Sequence, residues 1–180
     1  MNYTGRLLVA HPKLNSHFFK HSVIYICDDS ENGSQGVIIN RPSQFSVSNV
    51  FANKGFSITS NQQIYRGGPI QEQAVSMLHT AEWYSSNTSP AGNYNVTSDD
   101  FMLEKMAMGN TPAEWRMVSG VCGWAPGQLH AEVTGNPPFS KHQGWLTLSP
   151  TDSIIFEYEG EAQWQHALQL SSKQMVDRFF

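Results

Sequence analysis

Three short turns carry the residues whose types and spacing could do chemistry in this 180-residue chain. Asn40-Arg41-Pro42 closes one apolar run and Arg66-Gly67-Gly68-Pro69 closes another. Gly123-Trp124-Ala125-Pro126-Gly127-Gln128-Leu129 leads into a helical pattern. An arginine at a strand end can grip a carboxylate or phosphate through two parallel hydrogen bonds. Glycines let a backbone approach a ligand closely. A helix start leaves backbone N–H groups free, here from about Gly127 onward, and these attract anions. If the turns converge, Asn40, Arg41, Arg66, Gly67, Gly68, Trp124, Gly127 and Gln128 form a small anion pocket with Trp124 as one wall. The same residue types also shape turns and pack, so their placement in space decides between a site and a scaffold.

Other chemistries find less support. No Gly-x-Ser-x-Gly elbow occurs, and Ser119-Gly120 lacks the preceding glycine. A hydrolase-like enzyme would have to use His79 or Cys27 near the Asn-Arg-Pro and Gly-Gly-Pro turns. His79 would then lie within hydrogen-bond reach of Cys27, Ser22 or a water in a cleft. His11, His17 and His21 fall within eleven residues, but Pro12 interrupts the segment and His21 opens a strand, so one helical face does not present them. No Cys-x-x-Cys, His-Glu-x-x-His, calcium loop or phosphate-binding glycine motif is present. The expectation is therefore no metal and no cofactor.

Composition bounds the partners. Charged residues are 14% of the chain, against about 25% in an average soluble domain. The 11 basic and 15 acidic residues give a net charge of -4, which opposes a broad electrostatic grip on nucleic acid or anionic lipid. Direct control of transcription by DNA contact is disfavoured on the same ground, and no helix-turn-helix pattern supports it. The opening residues have only a four-residue apolar run, too short for a signal peptide, and no stretch reaches the length of a membrane span. Cys27 and Cys122 stand far apart beside apolar residues and read as two buried thiols, with a disulfide or redox pair as the alternative. A cytoplasmic protein is expected.

The elements that must position these turns read as follows. Leu7–Ala10, His21–Cys27 and Gly36–Asn40 are apolar, β-branched runs, the last two joined as an antiparallel hairpin through the turn cluster Asp28–Ser34. Ser46 caps a helix carrying Val47, Val50 and Phe51, with Gly55 past its end. Ile64-Tyr65 begins a short strand; Ala74–His79 fits a strand or a helical turn; Ser85–Gly92 is a loop; Tyr94–Thr97 is a strand. Ser98 is the expected cap of a helix over Phe101–Met108. Trp115–Cys122 is a strand, and Pro126 suits the first residue of a short helix. Trp145–Leu148 and Ile154–Phe156 are expected as the last strands, before a helix over Ala162–Leu170. Strands precede helices without strict alternation, which predicts one α+β domain over residues 1–180 with a mixed sheet and flanking helices. The Phe179-Phe180 end offers a contact surface or a docked terminus.

The ordered set of motifs resembles the YqgE/AlgH family of bacterial proteins. It comprises Gly5-x-Leu-Leu-Val-Ala-x-Pro-x-Leu, Phe18-Phe19-x-x-Ser-Val-Ile-Tyr-Ile-Cys, Gly36-Val-Ile-Ile-Asn-Arg-Pro, Gly67-Gly-Pro, Leu78-His79, Gly123-Trp-x-x-Gly-Gln-Leu and Trp145-Leu, over about residues 5–170. The resemblance implies a compact cytosolic fold with a partly barrel-like sheet. It implies little about activity; one branch is linked to regulation of exopolysaccharide (alginate) gene expression. The family usually carries an acidic residue directly after Gly-Gln-Leu, where this chain has His130, with Glu132 two positions on. The segment after Leu170 also lacks the usual glycine-containing tail. The expected function is a non-enzymatic regulatory module that binds a small anion or a protein partner.

Overall fold

The computed structural model describes residues 1–140 and 144–178, so the Phe179-Phe180 end lies outside the described residues. Among the described residues, ten strands and five helices follow one another in a mixed α+β order. The first strands are β1 (Leu7–Ala10), β2 (Val23–Ser30), β3 (Gly33–Ile38) and β4 (Pro42–Ser46), followed by helix α1 (Val47–Asn53). Then come β5 (Gln63–Arg66), β6 (Ile70–Thr80), β7 (Ser89–Ala91), β8 (Tyr94–Thr97) and helix α2 (Asp100–Ala107). The chain ends with β9 (Trp115–Trp124), α3 (Gln128–Thr134), β10 (Trp145–Leu148), α4 (Asp152–Phe156) and α5 (Gly160–Asp177). The strands make one curled, half-barrel sheet in the order β10-β1-β2-β3-β9-β6-β8-β7, with β4 and β5 attached at β9. Every pairing is antiparallel except β5 with β9. This is the mixed α+β architecture expected from the order of elements, with the partly barrel-like sheet that the family resemblance implies.

Strand β9 organises the sheet. Val118 pairs with Tyr65 of β5 and also with Ser76 of β6, so these two strands lie on opposite edges of β9. Farther along, the β5 edge is taken over by β3, whose Ser34 to Gly36 pair with Trp124 to Cys122. The link from β5 to β6 must therefore cross over β9, and Gly67-Gly68-Pro69 makes the crossing. A Cβ on Gly68 would overlap the Val121 backbone, and one on Gly67 would overlap the Gly120 carbonyl. Gly120 holds a φ of 82°, and any side chain there would strike the Gly68 carbonyl. Backbone lies directly on backbone at this point, and only glycine leaves room.

The sheet separates two cores. Alternate residues of a strand face opposite sides, so β9 sends Val118 to one core and Met117 to the other. The larger core packs β1, β2 and β3 with Leu129, Trp145, Ile154, Ile155, Trp164 and Ala167. The smaller one joins Val47 and Phe51 of α1 to Met102, Leu103 and Met106 of α2 over Met77 and Met117.

Several boundaries differ from the sequence reading, each for a local reason. Ile154–Phe156 belongs to helix α4 and not to a strand, because the Thr151 hydroxyl accepts from the Ile154 N–H and starts a turn. Asp99, not Ser98, caps α2; its carboxylate accepts from the N–H groups of Met102 (2.7 Å) and Asn87 (2.9 Å). Pro126 precedes α3, since Gly127 at φ 78° is the cap and the helix begins at Gln128. Residues 74–79 are strand, within β6. The loop 85–92 contains the short β7, and the β2–β3 turn is confined to Glu31-Asn32 between the paired Ser30 and Gly33.

Candidate functional site

The Asn40-Arg41 and Arg66–Pro69 turns meet. Asn40 is buried and ties three segments together. Its side-chain oxygen accepts from the Val23 N–H (3.0 Å), and its amide nitrogen donates to the carbonyls of His21 (2.9 Å) and Gly160 (3.0 Å). With its orientation fixed, the next residue is aimed outward. The Arg66 N–H donates to the Arg41 carbonyl at 2.8 Å, which places the two arginines side by side.

Their guanidinium groups share one aromatic ring. The central carbon of Arg41 lies 5.2 Å from the Phe18 ring centre and that of Arg66 lies 4.8 Å from it, both within cation–π range. Phe18 is itself held edge-on by Phe19 (4.9 Å), which meets Trp145 at 5.9 Å. Arg41 donates to the Lys20 carbonyl (2.9 Å), and Arg66 donates to the Glu72 carboxylate (2.9 Å). Burial pulls the Arg41 guanidinium below its usual value, Cys122 opposes this, and the charge of Arg66 adds to it. A guanidinium still remains a cation at any physiological pH. The platform thus holds two positive charges against one carboxylate.

The glycines of this turn have a scaffold role. The Gly67 N–H donates to the Ser119 carbonyl (2.7 Å) and its carbonyl accepts from Ile38 (2.8 Å). Both Gly67 and Gly68 are buried under the crossing already described.

The third turn lies elsewhere on β9. Trp124 belongs to the larger core and borders a shallow cleft of about 400 Å³ with Asp28, Asn32 and Gln35. Gly127 borders a neighbouring cleft of about 470 Å³ with Asp29 and His130. No arginine lines either cleft. Gln128 folds back on its own turn: its side-chain oxygen accepts from the Ala125 N–H (3.0 Å) and its nitrogen donates to Glu132 (2.8 Å). Its backbone N–H donates to the Ala125 carbonyl (3.0 Å), so the helix start does not present that amide. Glu132 also accepts from the Trp145 indole (3.1 Å), while His130 faces solvent in contact with Tyr3.

His79 is fully buried between β8 and β9. Its Nδ1–H donates to the Thr80 carbonyl (2.9 Å), so Nε2 accepts from the Thr97 hydroxyl (2.8 Å). Burial pushes its pKa down, and Trp83 covers the ring edge-on at 5.2 Å. Both nitrogens are engaged and neither meets Cys27 or Ser22. The Ser22 hydroxyl donates to the Phe19 carbonyl (2.6 Å). The Cys27 thiol turns inward toward the Tyr25 carbonyl (3.8 Å), and burial pushes it up to about 12, far from a reactive thiolate. Both cysteines are free.

One residue of consequence escaped the sequence reading. Arg116 is 5% exposed and makes no carboxylate contact through its four hydrogen bonds. They go to the carbonyls of Ile39 (2.7 Å), Phe156 (3.2 Å) and Tyr158 (3.0 Å) and to the Gln163 side chain (3.0 Å). Its guanidinium stacks 4.1 Å from the centre of Tyr65, whose hydroxyl donates to Glu159 (2.9 Å). It floors a polar cleft of about 640 Å³ that includes Glu114, Glu157 and Glu159. The one available signal was a single charge inside the otherwise apolar strand Trp115–Val118.

Comparison with known proteins places the chain in a family. Residues 7–176 match the family model described as AlgH-like. A UPF0301 protein of Ralstonia pickettii is 31% identical over 175 residues, which cover 94% of this chain and 88% of the relative. A UPF0301 protein of Burkholderia multivorans shows the same identity over 177 residues, again 94% and 88% of the two chains. Among solved structures, the solution structure of AlgH from Pseudomonas aeruginosa superposes with a TM-score of 0.76 at 25% identity, over 94% of this chain and 89% of that one. A crystal structure of a Corynebacterium diphtheriae protein gives 0.74 at 26% identity, over 93% and 86%.

Proposed function

The chain belongs to the AlgH-like family, and from that premise we propose that it is a non-enzymatic regulatory module of the cytoplasm whose Arg41–Phe18–Arg66 platform holds a small anion or an anionic group of a protein partner. The observation that carries this reading is the convergence of two guanidiniums on one ring, with a single carboxylate, Glu72, paired to Arg66. Like charges so close repel, and a bound anion would relieve that repulsion while using the parallel donors of each fork. Arg41 is the half-buried, fixed half of the platform, anchored through the knot at Asn40; Arg66 is the exposed, adjustable half. An enzyme working through His79 or Cys27 has no comparable support, since one is sealed by its own hydrogen bonds and the other is held as a thiol. The net charge of -4 likewise gives no support to direct DNA binding.

The test is a titration of the whole chain with inorganic phosphate, sulfate and acetate, followed by NMR of the arginine side-chain N–H groups. Saturable shifts are expected at Arg41 and Arg66, with Arg41→Gln weakening the interaction about tenfold or more, the scale of losing a charge-assisted hydrogen bond. Absence of any saturable shift at tens of millimolar anion would overturn the proposal.

A further inference from the structure

We infer that Glu72 is a built-in competitor at this platform, an internal carboxylate that an incoming phosphate-type dianion displaces from Arg66. This rests on the reading of Arg41 and Arg66 as an anion seat. Glu72 lies in the exposed stretch Ile70–Ala74, where the pairing of β6 with β9 breaks between Ile70 and Val75. The preceding residue, Gln71, holds a φ of 50°, a conformation that non-glycine residues seldom adopt. This irregular stretch carries the backbone of Glu72 over Gly120 and turns its carboxylate back across the glycine crossing to Arg66, six positions earlier. Regular strand pairing here would alternate residues in register along β9, and the bulge re-aims this one side chain.

The contact is suited to exchange. The side chains of Arg66 and Glu72 are 51% and 55% exposed, so the pair is screened by water and weak, whereas Arg41 is bound to a fixed carbonyl. Charge counting then selects the ligand. With Glu72 in place, the two guanidiniums are half neutralised. A monoanion that displaced it would exchange one carboxylate for another without net gain. A tetrahedral dianion neutralises both guanidiniums and offers enough oxygens for a fork from each. The shared chemistry is a phosphate group, free or carried as a monoester.

The experiment measures binding of inorganic phosphate, phenyl phosphate, sulfate and acetate at matched ionic strength to the wild-type chain and to the Glu72→Gln, Arg66→Gln and Arg41→Gln variants, with circular dichroism to confirm folding. Glu72→Gln is expected to tighten phosphate and sulfate about two- to five-fold, the range of an exposed ion pair, and Arg66→Gln to abolish that gain. Phosphate and sulfate are expected to bind wild type at least about threefold more tightly than acetate, since each carries the second charge. Inorganic phosphate matching phenyl phosphate supports a free ion, and preference for phenyl phosphate supports a monoester. Unchanged or weaker phosphate binding by a folded Glu72→Gln chain overturns the competitor role while leaving the anion seat standing. Acetate binding as tightly as phosphate overturns the dianion assignment. No binding by either wild type or Glu72→Gln overturns both this inference and the reading beneath it.

Discussion

Replacing Arg116 by methionine removes one cation and leaves most of its partners behind. Burying a charge without a counter-charge is costly, and swapping a buried ion pair for apolar residues is often neutral. Here that substitution is not symmetrical. Three of the four acceptors are backbone carbonyls of Ile39, Phe156 and Tyr158, which no side-chain change can delete. Each would be left in a dry region at about 1–3 kcal/mol, and the methionine recovers only part of the stacking on Tyr65. Some carbonyls will turn toward the adjoining cleft and regain water, so the sum is not reached. A loss of about 3–5 kcal/mol is expected, a large share of a typical domain's roughly 5–15 kcal/mol. Urea unfolding followed by tryptophan fluorescence should show a lower midpoint with an unchanged slope, and the melting temperature should fall by roughly 6–20 °C. Arg116→Lys should lose less, because an ammonium keeps the charge but cannot span four acceptors. A methionine variant within about 1 kcal/mol of the parent would refute the argument that these carbonyls depend on the guanidinium.

Other expectations follow from the same kind of accounting. Gly68→Ala should cost more than about 3 kcal/mol or prevent folding, because its Cβ meets immovable backbone of β9. Gly55→Ala, with φ 81° but open space around it, should cost only about 1 kcal/mol; equal effects in urea melts would undo the crossing explanation. Burial, above all other causes, raises Cys27 and Cys122 to about 12, so a thiol reagent at pH 8 should label neither in the native chain and both in urea. Since the unfolded thiols ionise first, near 9, this contribution to stability is present below that pH and declines as pH rises above it. Burial pulls the Asp99 carboxyl up, but its bonds from Ser85, Asn87 and Met102 win and hold it below 3.8. Its stabilising share is therefore complete above that pH and lost as pH falls further; Asp99→Ala should remove about 1–2 kcal/mol at pH 7 and flatten the acid limb of the stability curve.

Most of the fold was legible where a feature is local. The strands at 7–10 and 94–97 and the helix capped by Ser46 follow from runs and caps a few residues long. Ile154–Phe156 was misread because three apolar residues fit a strand or a turn of helix equally, and only the Thr151 hydroxyl breaks the tie. Arginine pairing at the Asn-Arg-Pro and Arg-Gly-Gly-Pro turns could be anticipated from residue type, but its centre could not. Phe18 acquires meaning only when β5 docks beside residues that lie more than forty positions earlier. Gly67 and Gly68 were legible as necessary, though for passage over a strand and not for ligand approach. Arg116 was illegible because its acceptors come from residues 39, 156, 158 and 163, and no short window contains them.

The bridge laid over β9 also bears on how the chain assembles. Residues 63–80 span a slot whose occupant, Trp115–Trp124, is synthesised later, and that occupant also supplies the partner edge for β3. While the chain emerges from a ribosome, the edges of β3, β5 and β6 that pair with β9 have no partner strand until Trp115–Trp124 has been made. Such distant pairings close slowly, and open strand edges invite pairing with neighbouring chains. A nascent fragment ending before residue 115 should therefore be sticky, and the ten residues that follow supply the edges that β3, β5 and β6 lack.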